Sequence, residues 1–159
     1  MNAKTAAGLA TLLLAALVAT YIIPRTQNRN KELIDQTAIT ELHALIQLQA
    51  KTWNQGDLDA FMNLYYPSDS LIFITAKKNS LGWQQLYNSY QTQYWENADL
   101  RGVLSFTPNI SLPLDDYGNL YLIQGAWEIE ASRSKSGKFS LIFKRDKELG
   151  WRIIADHTW

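Results

Sequence analysis

His157 is the residue of this chain best suited to moving protons, because an imidazole titrates nearer neutrality than any other common side chain. It stands in Trp151-Arg152-Ile153-Ile154-Ala155-Asp156-His157-Thr158-Trp159, a run with the composition of a strand. Neighbours on a strand point to opposite faces, so Asp156 and His157 do not form a dyad. Alternation puts Trp151, Ile153, Ala155 and His157 on one face, and Arg152, Ile154, Asp156 and Thr158 on the other. If the first face lines a pocket, His157 becomes an acid/base group partnered by Glu128, Glu130 or a tyrosine hydroxyl. The competing reading gives Asp156, His157 and Thr158 the structural task of tying the last strand to neighbouring backbone. The other histidine, His43, flanks an apolar helical stripe and reads as a partly solvated helix residue.

Other chemistries lack their residues. With no cysteine there is no disulfide, thiolate nucleophile, haem attachment or Cys-ligated metal. Two distant histidines and scattered carboxylates have no metal-ligand spacing. No Gly-rich phosphate loop and no Ser-His-Asp pattern occurs, so neither a metal nor a cofactor is expected. Of the 15 basic residues, Lys4, Arg25, Arg29 and Lys31 fall in the first 31 positions without an acid, leaving 11 against 15 acids, net −4. That remainder has no basic excess with which to bind nucleic acid.

The elements that would position these residues follow from periodicity. Ile39, Leu42, Ile46, Ala50 and Trp53 mark one helix over 38–53, widened by Leu45. Asn54-Gln55-Gly56 stops it, and Asp57 caps a second helix whose stripe is Leu58, Phe61, Met62 and Tyr65. Pro67-Ser68-Asp69-Ser70 breaks that helix, and 71–74 has the composition of a buried strand. Lys77-Lys78-Asn79-Ser80 reads as a turn. Trp83, Leu86, Tyr87, Tyr90 and Tyr94 then recur at helical spacing up to Trp95. From Leu100 the period changes. A bent or edge strand around two prolines, then strands at 120–129, 139–144 and 151–159, are separated by turns at 115–119 and 134–137. Helices first and strands last predict an α+β domain with three helices on one face of a curved, mainly antiparallel sheet.

The N-terminus is of a different kind. Residues 6–23 form an uncharged apolar run behind Lys4, and as a helix would span roughly 27 Å, enough for a bilayer core. It reads as a signal anchor or a signal peptide over 1–24. Cleavage after Ala19 or Thr20 would leave bulky Leu17 or Val18 three residues before the cut, which favours the uncleaved anchor. The short N-terminus then places the following domain on the exported side, periplasmic or extracellular, and cleavage would instead release it there. Residues 25–35 read as a tether and 36–159 as the domain. A small-residue stripe at Ala7, Thr11, Ala15 and Ala19 would let two anchors pack closely.

The order of elements resembles the nuclear transport factor 2-like superfamily, which includes ketosteroid isomerases, SnoaL-like cyclases and scytalone dehydratase. The resemblance rests on Trp53-Asn54-Gln55-Gly56-Asp57-Leu58-Asp59-Ala60-Phe61, on the segment from Tyr65 to Phe73, on Gly82-Trp83 and Gly125-x-Trp127, and on Gly150-Trp151-Arg152-Ile153-Ile154-Ala155-Asp156-His157-Thr158. It is strongest to small bacterial SnoaL-like proteins of unassigned function ending in Asp-His-Thr or Asp-His-Ser. The resemblance implies a cone-shaped domain over about 36–159. It also supplies a negative test. The acidic base of ketosteroid isomerases falls on Ile74, and their oxyanion tyrosine falls near Gln49. Ile cannot take a proton and Gln donates only a neutral hydrogen bond, which argues against that catalysis.

Three roles are expected of such a domain. The first is binding a small, mostly apolar molecule in the cone, with Trp53, Tyr65, Trp83, Tyr90 and Trp127 as its walls. The second is cofactor-free lyase, isomerase or cyclase chemistry with His157 as acid/base. The third is assembly, since members of this superfamily often dimerise through the sheet, and a homodimer is expected here.

Overall fold

The computed structural model describes residues 20, 23–96 and 98–159. Most of the apolar run 6–23 lies outside these residues, as does the small-residue stripe within it. Among the described residues no helix is long and apolar enough to cross a membrane, and the expected N-terminal span finds no support there. The chain divides into two compact units, Met1–Thr37 and Ala38–Trp159.

Helix α1, Ile23–Gln55, begins well before the stripe that predicts it. Residues 25–35, read from their polar composition as a tether, are helical. From Ala38 on, the predicted face is the buried one, with Leu42, Ile46, Ala50 and Trp53 all in the core. Gly56, at φ +75°, ends the helix in the left-handed conformation that glycine tolerates best. Asn54 then clamps the helix end to the sheet. Its amide donates to Leu104 O (3.0 Å) and its oxygen accepts from Leu104 N–H (2.7 Å), as a partner strand would do.

The Asp57 side chain accepts from Ala60 N–H at 2.9 Å and caps α2, Leu58–Met62. This helix is one turn shorter than the stripe suggests. Tyr65 lies beyond its end and forms a parallel bridge to Ile153. Strands β1 (Ile72–Thr75) and β2 (Asn79–Leu81) make a short hairpin, so part of the expected turn at 77–80 is strand. Helix α3, Trp83–Tyr90, runs into a π-helical turn, Gln91–Trp95, and a short α4, Ala98–Arg101. Strands β3 (Val103–Pro113), β4 (Leu120–Glu130), β5 (Lys135–Asp146) and β6 (Gly150–Thr158) follow. β5 starts four residues earlier than read, which turns Lys135, Ser136 and Gly137 from loop into strand.

The six strands lie in the order β2-β1-β6-β5-β4-β3, and every pair is antiparallel except β1 with β6. This is the expected α+β, mainly antiparallel arrangement. β3 is an edge strand, as its prolines predict, with a register shift between Pro108 and Ile110. A second shift lies where β6 meets β5, between the partners of Ile142 and Phe143. Such irregularities bend strands and sharpen their twist. The sheet's share of the core includes Tyr121, Ile123, Phe139, Leu141, Phe143 and Ile153. Gly125 belongs to this packing through what it lacks. A Cβ there would collide with Thr107 O and the Phe139 ring, which itself meets Phe106 edge-on at 5.2 Å.

Candidate functional site

The bend in β6 decides which side chains enter the domain. Phe143 pairs with Ile153 and Ile142 with Ala155, so Ile154 is an extra residue without an opposite number on β5. Alternation is reset across this bulge. Before it, Trp151 and Ile153 point into the core, and after it the inward residues are Asp156 and Thr158, opposite inward Leu141 and Phe139. The uninterrupted alternation read from the sequence therefore fails in the last four residues. Asp156 is only 4% exposed, whereas His157 is exposed with its ring tilted against Trp159 at 4.6 Å. Glu128 and Glu130, offered as partners for His157, are exposed on β4.

Inside the domain lies a cavity of about 580 Å³. Its lining includes Trp53, Tyr65, Tyr90 and Trp127 from the sequence-derived set. Trp83 is not in the lining. Its indole N–H donates to Met62 O at 3.0 Å and its ring stacks on Tyr87, so it fastens α3 to the end of α2. Trp53 is the hub of an aromatic cluster, with Phe61, Tyr94, Trp95 and Tyr90 at centroid distances of 5.4, 4.9, 5.0 and 5.9 Å, and all of these but Trp95 line the cavity. The π-helical turn contributes two of these rings, Tyr94 and Trp95, and the Trp95 N–H donates to Gly56 O at 2.7 Å.

A buried polar network stands among the aromatic and aliphatic lining residues. Gln49 Nε2 donates to the Tyr65 hydroxyl at 2.9 Å, and that hydroxyl donates to Asp156 Oδ2 at 2.7 Å. All three residues are buried, and all three line the cavity. Two acceptors in it, Gln49 Oε1 and Asp156 Oδ1, have no hydrogen-bond partner among the described residues. A buried orphan acceptor carries a desolvation penalty of about 1–3 kcal/mol, so two at one cavity need an explanation.

Burial sets the protonation of this network. Loss of solvent pushes the Asp156 carboxyl up to about 7, and only the Tyr65 hydrogen bond pulls the other way. Tyr65 is held well above the ordinary phenol value, first by burial and then by the charge of Asp156. Tyr90 is raised for the same two reasons, so both phenols remain neutral donors. Near neutral pH the Asp156 carboxyl is poised to gain or lose a proton inside a largely apolar chamber.

The positions tested against ketosteroid isomerases fall as follows. Phe73 and Thr75 of β1 line the cavity, Ile74 does not, and none of the three is a carboxylate. Gln49 does line it. Among the described residues, no group of three or more His, Asp or Glu is placed to hold a metal. His43 bonds Ser111 Oγ through Nε2 at 2.8 Å, outside the cavity lining.

Asp156 is the residue that sequence reasoning left on the wrong face, because nothing within β6 marks the bulge. Gln49 had a usable signal. It lies three residues after Ile46 and four before Trp53, on the buried stripe of α1.

No family model matches the sequence, and neither does any curated protein. Solved structures do match. A nuclear transport factor 2-like protein of unknown function from Shewanella oneidensis is 26% identical, with a TM-score of 0.69 over 76% of this chain and 97% of that one. A nuclear transport factor 2-like superfamily protein from Salmonella enterica is 20% identical, with a TM-score of 0.63 over 78% and 91%. A ketosteroid isomerase-like protein from Erwinia carotovora is 10% identical, with a TM-score of 0.53 over 79% and 92%, a likeness of fold alone. With helices laid on a six-stranded bent sheet, and with these neighbours matched over nearly their whole length, the chain has the fold of the nuclear transport factor 2-like superfamily.

Proposed function

We propose that the domain binds a small, mostly apolar molecule in the cone, and that a polar group of this molecule meets Gln49 and Asp156. The observation that carries this reading is the pair of orphan buried acceptors on an aromatic-walled cavity. Ligand pockets combine mainly apolar walls with a few convergent polar groups in this way. Native mass spectrometry of the full chain, purified gently from its source, tests it. A co-purified small molecule, absent from Asp156→Ala, is the expected result. No adduct, together with no thermal shift across a broad library of apolar compounds, would overturn it.

A second reading is favoured by the Asp156 carboxyl, which lies near neutrality at about 7. It is a cofactor-free lyase or isomerase in which Asp156, rather than His157, moves the proton. In that case Asp156→Asn abolishes turnover while ligand affinity survives. Loss of both together would leave binding as the whole function.

The apolar run 6–23 supports attachment to a membrane, with the domain on its exported side or released there by cleavage. Recovery of the full chain in the soluble fraction with its N-terminus intact would refute attachment. Exposed Val103, Ile110 and Leu112 on edge strand β3 support a homodimer. A monomer by light scattering at micromolar concentration would refute that.

A further inference from the structure

The exposed and buried parts of the cavity lining differ in charge. Its mouth includes three exposed lysines, Lys77, Lys78 and Lys135, while among the described residues the one acidic side chain in the lining is that of buried Asp156. The sequence from residue 32 onward carries more acidic than basic side chains, so a mouth with three lysines and, among the described residues, no exposed acidic side chain runs against its average.

The lysines are held in place by the fold. Lys135 opens β5 opposite Ile129, itself a lining residue, and its Nζ lies 5.4 Å from the Tyr94 ring centroid. Glu128 and Glu130, which alternate with Ile129 on β4, take the other face. Lys77 and Lys78 sit on the β1–β2 hairpin. There the Thr75 hydroxyl accepts from Lys78 N–H (2.9 Å) and from Lys77 N–H (3.3 Å), and Thr75 N–H donates to Lys78 O at 2.9 Å. Lysine ammonium groups at the rim of a largely apolar chamber attract an anion and leave apolar groups to the interior.

We propose that the molecule bound in the cone is an amphiphile. Its anionic group lies at the lysine mouth, and its far end carries a hydroxyl or N–H donor facing Gln49 Oε1 and Asp156 Oδ1. This rests on the binding reading above and narrows it to one ligand class. The two ends are complementary in opposite senses. The mouth offers cations and the floor, with Asp156 ionised, offers acceptors, so a ligand inserted the other way round would meet like with like at both ends.

The test uses two fluorescent probes that share one ring system and one N–H, anilinonaphthalene sulfonate and its uncharged parent phenylnaphthylamine. Displacement of each by the other establishes a shared cavity. The sulfonate is expected to bind the full chain roughly tenfold more tightly, the sum of a few exposed ion pairs. Combining Lys77→Ala, Lys78→Ala and Lys135→Ala should bring the two affinities together without weakening the parent. Raising the salt concentration should weaken the sulfonate selectively, since exposed pairs are screened. Equal affinities in the unaltered protein, or a preference that persists in the triple variant, would overturn the anionic class and leave the pocket standing. Failure of both probes to bind would overturn the pocket and the ligand class together.

Discussion

Tyr65 and Asp156, 91 positions apart, meet at 2.7 Å through a hydrogen bond that joins the loop after α2 to the last strand. The contact needs three features at once. α2 ends at Met62, residues 64–66 bond to β6 through Tyr66 N–H on Ile153 O (2.8 Å) and Ile153 N–H on Leu64 O (2.9 Å), and the bulge turns Asp156 inward. Each feature by itself is ordinary. Together they build a polar centre in an aromatic chamber.

Tyr65→Phe should cost stability, by about 1–3 kcal/mol, because it leaves Asp156 Oδ2 and Gln49 Nε2 buried without their shared partner. It also removes the hydrogen bond that restrains the Asp156 carboxyl, so the titration of Asp156 should move still higher. Chemical denaturation reads the first effect. Carboxyl titration by NMR reads the second, and an unmoved titration would show that Tyr65 does not restrain Asp156.

Stability should fall as pH rises from about 4 to about 7. The unfolded Asp156 releases its proton near the ordinary value of 3.8, and the folded one near 7, so between these limits the folded state alone holds it. Each unit of separation is worth about 1.4 kcal/mol, which puts the ceiling for a fully buried group at about 4 kcal/mol. Asp156→Asn, which cannot ionise, should flatten this slope. Denaturation midpoints at several pH values compare the two, and parallel curves would refute the assignment.

His157→Ala should leave ligand binding unchanged and the melting temperature within a few degrees. Its ring faces away from the cavity and touches Trp159, a contact worth about 0.5–1.5 kcal/mol at most. A large loss of affinity would return His157 to the site.

Asn54→Ala should destabilise the domain by about 1–3 kcal/mol, since it strips Leu104 N–H and C=O of their partners at a position only 6% exposed. Asn54→Asp restores the acceptor but not the donor and should recover part of the loss. Thermal unfolding of both variants checks this. Equal losses would assign the effect to the donor alone.

Much of the architecture is legible along the chain because its causes are local. The stop at Gly56, the cap at Asp57, the aromatic stripe of α3 and the proline-marked edge strand each depend on residues within one or two turns. The site is less legible because its causes are not local. Ile154 is a bulge only in relation to Ile142 and Phe143 on β5, so a reading of β6 alone gives His157 the place that Asp156 holds. Lys135 is similar. Flanked by Ser134 and Ser136 it has the composition of a turn, and only its pairing with Ile129 makes it strand and sets it at the mouth. Trp83 has the right spacing for the wall, but the Met62 carbonyl captures its N–H.

The bulge in β6 makes the path of a strand a chemical variable. Removing Ile154 would restore strict alternation and keep Asp156 facing the chamber, whereas retaining Ile154 in an unbulged strand would turn His157 inward in its place, without any change of side chain. Two chains of this kind with the same final residues, one bulged in this strand and one not, would then hold different proton inventories. Comparing their closing motifs letter by letter would show no difference.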